Sequence, residues 1–339
     1  MLSGKNLLIR TDADSTLGYG HLMRSFALAQ AWTGRGGKVS FLSGEIPPDL
    51  KQILKTAGMD VYDFRGQNGS RLDAEVTVNL VQKLAAEWLI ADGRSFGGEY
   101  QKHCKDGSLK LLIADDSGAS DHYYADIVLN RGLHGREEMY KNREPYTKLL
   151  LGHRFVSLRD EFMAWRDRPR TIASQVTNIL VSFGGADHSR LLTKVVKSLK
   201  ELGETYQTKI ILGRASKREE VKGINIVSLI NASNMADLMA WADIGVCGGG
   251  VTLAEMAFMG LPSIAVKTAP DQNSVQKYAG SYGITVFLGT AAEVTAGQIA
   301  AALGELSGDK LKRQQMSKKG RKLIDGAGNE RIIKEMLSG

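Results

Sequence analysis

Cysteine is scarce in this chain of 339 residues: Cys104 and Cys247 are the only two. Two cysteines make neither a disulfide framework nor a thiolate metal cluster, and they fit a reducing compartment. No apolar run approaches the roughly 20 residues that a membrane-spanning helix needs. Met1-Leu2-Ser3-Gly4-Lys5 leads directly into an apolar segment and leaves no room for a signal peptide, so the cytoplasm is the expected location. The six histidines fall at 21, 103, 122, 134, 153 and 188, with no metal-ligand pair at helical spacing. Zinc is therefore not expected, and no other cofactor is. A Gly-x-Ser-x-Gly elbow, a cysteine-nucleophile signature and nucleic-acid-binding motifs are also missing. No short tandem repeat is visible, which argues against a solenoid.

What is present is an ordinary globular composition, 43% hydrophobic and 24% charged. The length suits two domains. The net charge of +7 is spread along the chain with acids between the bases. The densest basic patch, Lys310, Lys312, Arg313, Lys318, Lys319, Arg321 and Lys322, lies in helix-like sequence and reads as a solvated helix face. Such a charge could favour nucleic acid, an acidic membrane surface or an anionic small substrate; no nucleic-acid motif and no membrane span is visible. Nothing in the sequence demands an oligomer, and a monomer is expected.

Short apolar runs alternate with helical patterns. Strands are expected at 7–12, 38–43, 60–64, 88–92, 109–116 and 125–130, with helices from 21, over 49–57 and over 73–86. Leu149-Leu150-Leu151-Gly152 is one more apolar run, and Ser157 to Arg170 is charged and reads as a connection. A second alternation follows, with strands at 178–182 and near 208–212, 224–228, 243–246, 262–266 and 284–287. From about 292 the chain is mostly helical. The reading is an α/β protein with two parallel sheets: an N-terminal domain over 1–156, a linker over 157–170, a C-terminal domain over 171–325 and a final helix over 326–339. Ligands of such sheets bind beyond the strand C-termini, where Asp12, Asp92, Asp115 and Asp116 fall. Two such halves normally leave a cleft for a ligand.

Leu7 to Arg24 organises the first half. An apolar strand ends at Asp12, a loop carries Gly18 and Gly20, and a helix opens at His21. The helix N-terminus favours anions and disfavours an imidazolium, so His21 reads as a neutral histidine able to accept a proton. The second half has two glycine turns. Ser182-Phe183-Gly184-Gly185-Ala186-Asp187 follows its first strand; the turn is either an anion contact or a tight turn with Asp187 as helix cap. It lacks the Gly-Lys-Ser/Thr ending of a P-loop and the spacing of a dinucleotide fingerprint. Gly248-Gly249-Gly250 opens a helix at Val251 and Thr252, an anion cradle with Glu255 one turn on, where a carboxylate could take the two hydroxyls of a ribose. Asp271, Gln272 and Asn273 follow the next strand and either face the same site or cap the next helix. Asn231 and Asn234 read as caps of the helix holding Met235, Leu238 and Met239.

Together these segments resemble a known family. Gly18-Tyr19-Gly20-His21-Leu22-Met23-Arg24 is similar to the Gly-x-Gly-His-x-x-Arg signature of the UDP-sugar hydrolases of the pseudaminic acid pathway. That group also takes in spore-coat polysaccharide biosynthesis proteins. Asp115-Asp116, Asp126 to Asn130, Leu158-Arg159-x-Glu161-Phe162, Phe183 to Asp187, Met235-Ala236-x-Leu238-Met239, the triglycine helix and Asp325-Gly326-x-Gly328 follow in family order. The resemblance implies a GT-B fold, two Rossmann-like domains facing across a cleft, with UDP held mainly by the second. It implies metal-free cleavage by water, with inversion, of the anomeric C–O bond of a UDP-linked amino-deoxy sugar. His21 maps onto the essential histidine, with Arg24 in the same signature. Gly249, Gly250 and Val251 map onto the diphosphate loop, Glu255 onto a ribose carboxylate and Ile230 onto a uracil contact. The family's Asn-Gln pair stands here as Asp271-Gln272, and its tyrosine after the fourth strand is replaced by Gly93-Arg94-Ser95. Two other readings use the same parts: a glycosyltransferase in which His21 deprotonates an acceptor hydroxyl, and a non-catalytic nucleotide-sugar binding protein.

Overall fold

A computed structural model describes residues 2–13, 19–105, 109–185, 188–203, 205–213, 225–230, 234–270 and 272–338. The chain divides into two units, Met1–Asp160 with Ala327–Gly339, and Glu161–Gly326. The first runs β1 (Asn6–Thr11), α1 (Gly20–Thr33), β2 (Lys38–Ser43), α2 (Pro48–Thr56), β3 (Asp60–Asp63), α3 (Arg71–Leu84), β4 (Ala86–Asp92), α4 (Gly98–Lys105), β5 (Lys110–Ala114), β6 (Ile127–Asn130) and β7 (Lys148–Leu151). A short helix α5 (Asp160–Met163) stands at the boundary. The second unit contains β8 (Asn178–Ser182), α6 (Ser189–Glu201), β9 (Gln207–Leu212), β10 (Ile226–Ile230), α7 (Met235–Trp241), β11 (Ile244–Gly248), α8 (Val251–Phe258), β12 (Ser263–Lys267), α9 (Val275–Gly280), β13 (Thr285–Thr290), α10 (Ala296–Gly308) and α11 (Lys310–Leu323). The last helix, α12 (Gly328–Leu337), returns to the first unit.

All named strands pair in parallel, in the orders β3-β2-β1-β4-β5-β6-β7 and β10-β9-β8-β11-β12-β13. Each sheet therefore reverses its direction of growth once, between β1 and β4 and between β8 and β11. At such a reversal the two loops leave the sheet on opposite faces, and the gap between them is the usual ligand site. The central strands β1, β4, β5, β6, β8 and β11 are buried along nearly their whole length, which explains their nearly continuous apolar sequence. Leu7, Ile9, Trp32 and Phe41 pack on one face of the first sheet, with Ile332, Ile333 and Met336 of α12 in the same core. Asn329 fixes that helix by donating to the carbonyls of Ala27 (3.0 Å) and Leu158 (2.9 Å). Ile179, Val181, Leu192, Ile244, Ile264 and Leu303 form the core of the second unit.

Several local expectations need correction. The apolar run at Leu149 is a seventh strand of the first sheet. Helix α4 escapes the sequence pattern because its buried side is carried only by Tyr100, Gln101 and Cys104, amid charge. Strand β10 begins two residues later than expected. Arg313 is buried rather than solvated; it donates to the carbonyls of Leu306, Ser307 and Ala173 and so ties α11 to the segment before β8. Asn234 precedes α7 but its side chain makes no capping bond; Glu161 instead accepts from the N–H of Ala236 (3.2 Å). Likewise Asn273 accepts from Lys267 Nζ (2.8 Å), and Ser274 stands at the N-cap of α9. Asn231 and Asp187 lie outside the described residues.

Candidate functional site

His21 lies in the first turn of α1, one residue after the helix begins at Gly20. Residues three and four further on share its helix face, and these are Arg24 and Ser25. Both are buried although polar, because that face turns toward the end of β4. Asp92 is the last residue of β4 and pairs in register with Thr11 of β1, at the reversal of strand order. Its carboxylate is fully buried and accepts from four groups: His21 Nδ1 (2.7 Å), Arg24 Nη2 (2.5 Å), Arg24 Nε (2.8 Å) and Ser25 Oγ (3.0 Å).

Burial alone would push the Asp92 carboxyl up, but Arg24 and His21 outweigh it and hold Asp92 far below the usual carboxylate range. Asp92 is thus an anion. The ring nitrogen that faces it at 2.7 Å must carry the proton. Arg24 Nη2 also lies 2.9 Å from that nitrogen, but a nitrogen that donates to Asp92 cannot accept, so Arg24 gives its proton to the carboxylate. In the neutral imidazole this fixes the tautomer: Nδ1 donates and Nε2 is left to accept. An imidazole oriented in this way is equipped as a general base.

The third arm of Arg24, Nη1, pairs with Asp116 just past β5. Burial opposes ionisation of Asp116 too, yet Arg24 and Arg131 hold its pKa below the ordinary value. Asp116 also accepts from the backbone N–H of Arg131 (2.9 Å), the residue after β6. The ends of β4, β5 and β6 are therefore joined through charge to the start of α1. The other strand-end acids are engaged elsewhere. Asp115 accepts from Ser117 N, Ala119 N and Tyr123 Oη and closes its own loop. Asp12 accepts from Arg10 Nη1 (2.6 Å) and Gly44 N (2.7 Å) and fixes the strand end to the loop after β2. Gly18 lies outside the described residues.

In the second unit three loops meet at the C-terminal ends of β8, β11 and β12. Gly184 has φ +96°, a conformation that needs glycine, and Gly185 follows it. A Cβ on Gly248 would come 2.9 Å from Thr268 Oγ1 and 3.4 Å from the Phe183 carbonyl, so the first and second of these loops touch. A Cβ on Gly249 would meet Val275 Cβ at 2.9 Å. The absent side chains let the Gly249–Gly250 backbone lie against the loop after β12. Gln272 joins the same contact: its amide oxygen accepts from the N–H groups of Gly249 (3.0 Å) and Thr268 (2.8 Å). Gly250 is the N-cap of α8 and no side chain caps that helix, so Val251 and Thr252 begin it with backbone N–H groups available to an anion. Glu255 is buried, at 5% exposure. Ile230 ends β10, two strands from β8. Asp271 lies outside the described residues. Among the described residues no three His, Cys, Asp or Glu side chains group as a metal site. No described helix is long and apolar enough to cross a membrane.

Sequence reasoning noted Asp92 and Asp116 as strand-end acids without assigning them to His21, and it passed over Ser25 and Arg131. The spacing of Arg24 and Ser25 from His21 was the available signal.

Over its whole length the chain superposes on glycosyltransferase structures. It matches MurG of Acinetobacter baumannii with a TM-score of 0.64 at 15% identity, over 99% of this chain and 100% of that one. It matches Anabaena HepE, solved with UDP-glucose, with a TM-score of 0.65 at 12% identity, over 98% and 100%. The fold is GT-B. The family model for the glycosyltransferase family 28 C-terminal domain matches residues 178–334, just under half of the chain. Among curated proteins, MJ1062 of Methanocaldococcus jannaschii is 25% identical over 80% of this chain; the match spans only 56% of that relative's length. Spore coat polysaccharide biosynthesis protein SpsG of Bacillus subtilis is 26% identical over 66% of this chain and 68% of that protein. UDP-2,4-diacetamido-2,4,6-trideoxy-beta-L-altropyranose hydrolase of Campylobacter jejuni is 24% identical over 69% and 81%. These similarities support a GT-B, glycosyltransferase-like relationship.

Proposed function

We propose that this protein hydrolyses a UDP-linked amino-deoxy sugar to UDP and free sugar, in the cytoplasm, for surface or spore-coat polysaccharide of the nonulosonic acid type. The observation that carries the reading is the His21–Asp92 pair, with Nδ1 held at 2.7 Å and Nε2 left to accept. In this reading the second unit holds the nucleotide. The diphosphate sits on the Gly249–Val251 loop at the N–H groups of Gly250 and Val251, the Gly249 N–H being given to Gln272, and Glu255 takes the ribose hydroxyls. His21 is the residue assigned to the sugar. Nε2 removes a proton from water as the water oxygen bonds to the anomeric carbon. The C–O bond breaks and its electron pair leaves with UDP. Backbone N–H groups and the α8 dipole meet the charge that grows on the diphosphate, as oxyanion donors do elsewhere.

Similarity to the Campylobacter hydrolase favours water as the nucleophile. The match to a glycosyltransferase domain favours a second reading, in which an acceptor hydroxyl replaces water at Nε2. Release of free sugar from UDP-sugars without any acceptor separates the two: steady turnover supports hydrolysis, and turnover only with an acceptor supports transfer.

Two binding predictions follow from the second unit. Glu255→Ala should weaken UDP binding about 10–100-fold, the range expected for hydrogen bonds to a charged group. Unchanged affinity by calorimetry would remove Glu255 from the site. Gly249→Ala must push its new Cβ into Val275, 2.9 Å away. The loop shifts and UDP binding should fall at least tenfold, with the melting temperature recorded alongside. A variant that binds UDP as tightly as the wild type would show that the loop does not hold diphosphate.

A further inference from the structure

Arg131 is 7% exposed and directly follows β6. A guanidinium has five N–H donors. Only Nε is engaged, donating to Ser157 Oγ (3.2 Å). Nη1 and Nη2 are buried and make no hydrogen bond among the described residues. Leaving buried donors unsatisfied is costly. A side chain kept under those terms is kept for something other than its hydrogen bonds, and what remains is its charge. Nη1 stands 3.6 Å from Asp92 Oδ2, on the carboxylate whose other oxygen binds His21.

Four charged groups of the described residues form one linked set at the imidazole: Asp92 and Arg24 touch the ring, Asp116 joins through Arg24 and Arg131 through Asp92. Asp92 comes from β4, Arg24 from α1, Asp116 from the loop after β5 and Arg131 from the loop after β6. One further titratable group, His134, touches the Asp116 carbonyl through Nε2. Two carboxylates against two guanidiniums leave the set neutral. Arg24 alone would leave one anion in excess beside the ring, and an excess anion favours the imidazolium, which cannot accept a proton.

We propose that Arg131 is a positioning residue that acts through Asp92: its buried charge completes a neutral cluster that keeps the His21 imidazole in its proton-accepting form. The proposal rests on His21 as the base. Burial and Arg24 pull the Arg131 pKa down to about 10, so it remains a cation at neutral pH. At an effective dielectric of about 20, a unit charge about 12 Å away shifts a protonation equilibrium about tenfold, and a nearer one shifts it more.

The test compares wild type, Arg131→Gln and Arg131→Lys. In Arg131→Gln the acid limb of the pH profile of kcat/KM should move to higher pH. Turnover should then be about tenfold below wild type on that limb and should recover toward the plateau. Arg131→Lys, which restores the charge without the planar fork, should restore the profile. NMR titration of the His21 ring supplies a readout without substrate, and the ring of Arg131→Gln should titrate at higher pH than that of wild type. A merely structural role predicts a lower melting temperature and an equal loss at every pH. Coincident acid limbs and coincident ring titrations in folded Arg131→Gln would overturn the proposal. If no UDP-sugar is turned over at all, the NMR comparison still decides the coupling, and the hydrolase reading fails by itself.

Discussion

His21→Ala should lower kcat by roughly 10²–10⁴-fold, the usual contribution of a positioned general base. UDP affinity should stay within twofold of wild type, because the groups assigned to the nucleotide belong to the other unit. The contrast between the two readouts is what makes the prediction sharp. The ring is half-buried at the start of α1, and α1 owes its packing to Leu22, Phe26, Leu28 and Trp32 rather than to His21. The variant should therefore fold, and its loss should be catalytic. Single-turnover kinetics with calorimetry for UDP measure both quantities. Retained turnover would remove His21 from the chemistry, and lost UDP binding would mean that the variant perturbs more than a base.

Asp92→Asn should be the most damaging single change in the first unit, in stability and in rate together. The amide is nearly isosteric but has one acceptor oxygen and no charge. Arg24 then loses a buried anionic partner. Removing one member of a buried ion pair costs about 3–5 kcal/mol. Orientation of the imidazole also suffers, because an amide NH2 can face Nδ1 and stabilise the opposite tautomer. That would leave Nε2 protonated and unable to accept, so kcat should fall by roughly 10²–10⁴-fold, as for loss of the base itself.

The pH dependence gives a separate check. Burial would raise the Asp92 pKa, but Arg24 and His21 depress it well below that of an unfolded carboxylate. A depressed pKa adds stability that is complete above the unfolded pKa, about 3.9, and is lost as pH falls toward the folded value. The stability gap between wild type and Asp92→Asn should therefore be full at neutral pH and shrink below about pH 4. A gap that does not change over that range would show that Asp92 is not held as a buried anion.

Much of this architecture was legible because the elements that matter carry strong local signals. Strand β2, Lys38 to Ser43, carries Val39, Phe41 and Leu42 between glycine-bearing flanks, and its observed ends are the expected ones. Glycine loops followed by helical patterns marked both strand reversals; in the second sheet Gly184 takes a left-handed φ and Gly249 packs against Val275, which leaves few alternatives to glycine. The site itself was only half visible. Asp92 and Asp115 look alike in sequence, each an acid closing an apolar strand. Only the fold shows that Asp115 spends its oxygens on its own loop while Asp92 turns to His21. Arg131 gave no signal, because a basic residue after a strand is ordinarily solvated and burial here depends on the ends of two neighbouring strands. From sequence the final helix is a separate element over 326–339, assigned to neither half. Its place in the first unit depends on Ile332, Ile333 and Met336 joining a core built from residues of the first half of the chain. Such a pairing has no local signature.

The central claim is that water, activated at His21, breaks the bond between the anomeric carbon and oxygen. Hydrolysis of a UDP-linked amino-deoxy sugar in ¹⁸O-labelled water, followed by mass spectrometry of both products, tests it most directly. The account predicts one ¹⁸O on the anomeric carbon of the free sugar and none in UDP. Label in the UDP phosphate would mean attack at phosphorus and would contradict it, as would the absence of free sugar from the whole set of UDP-sugars.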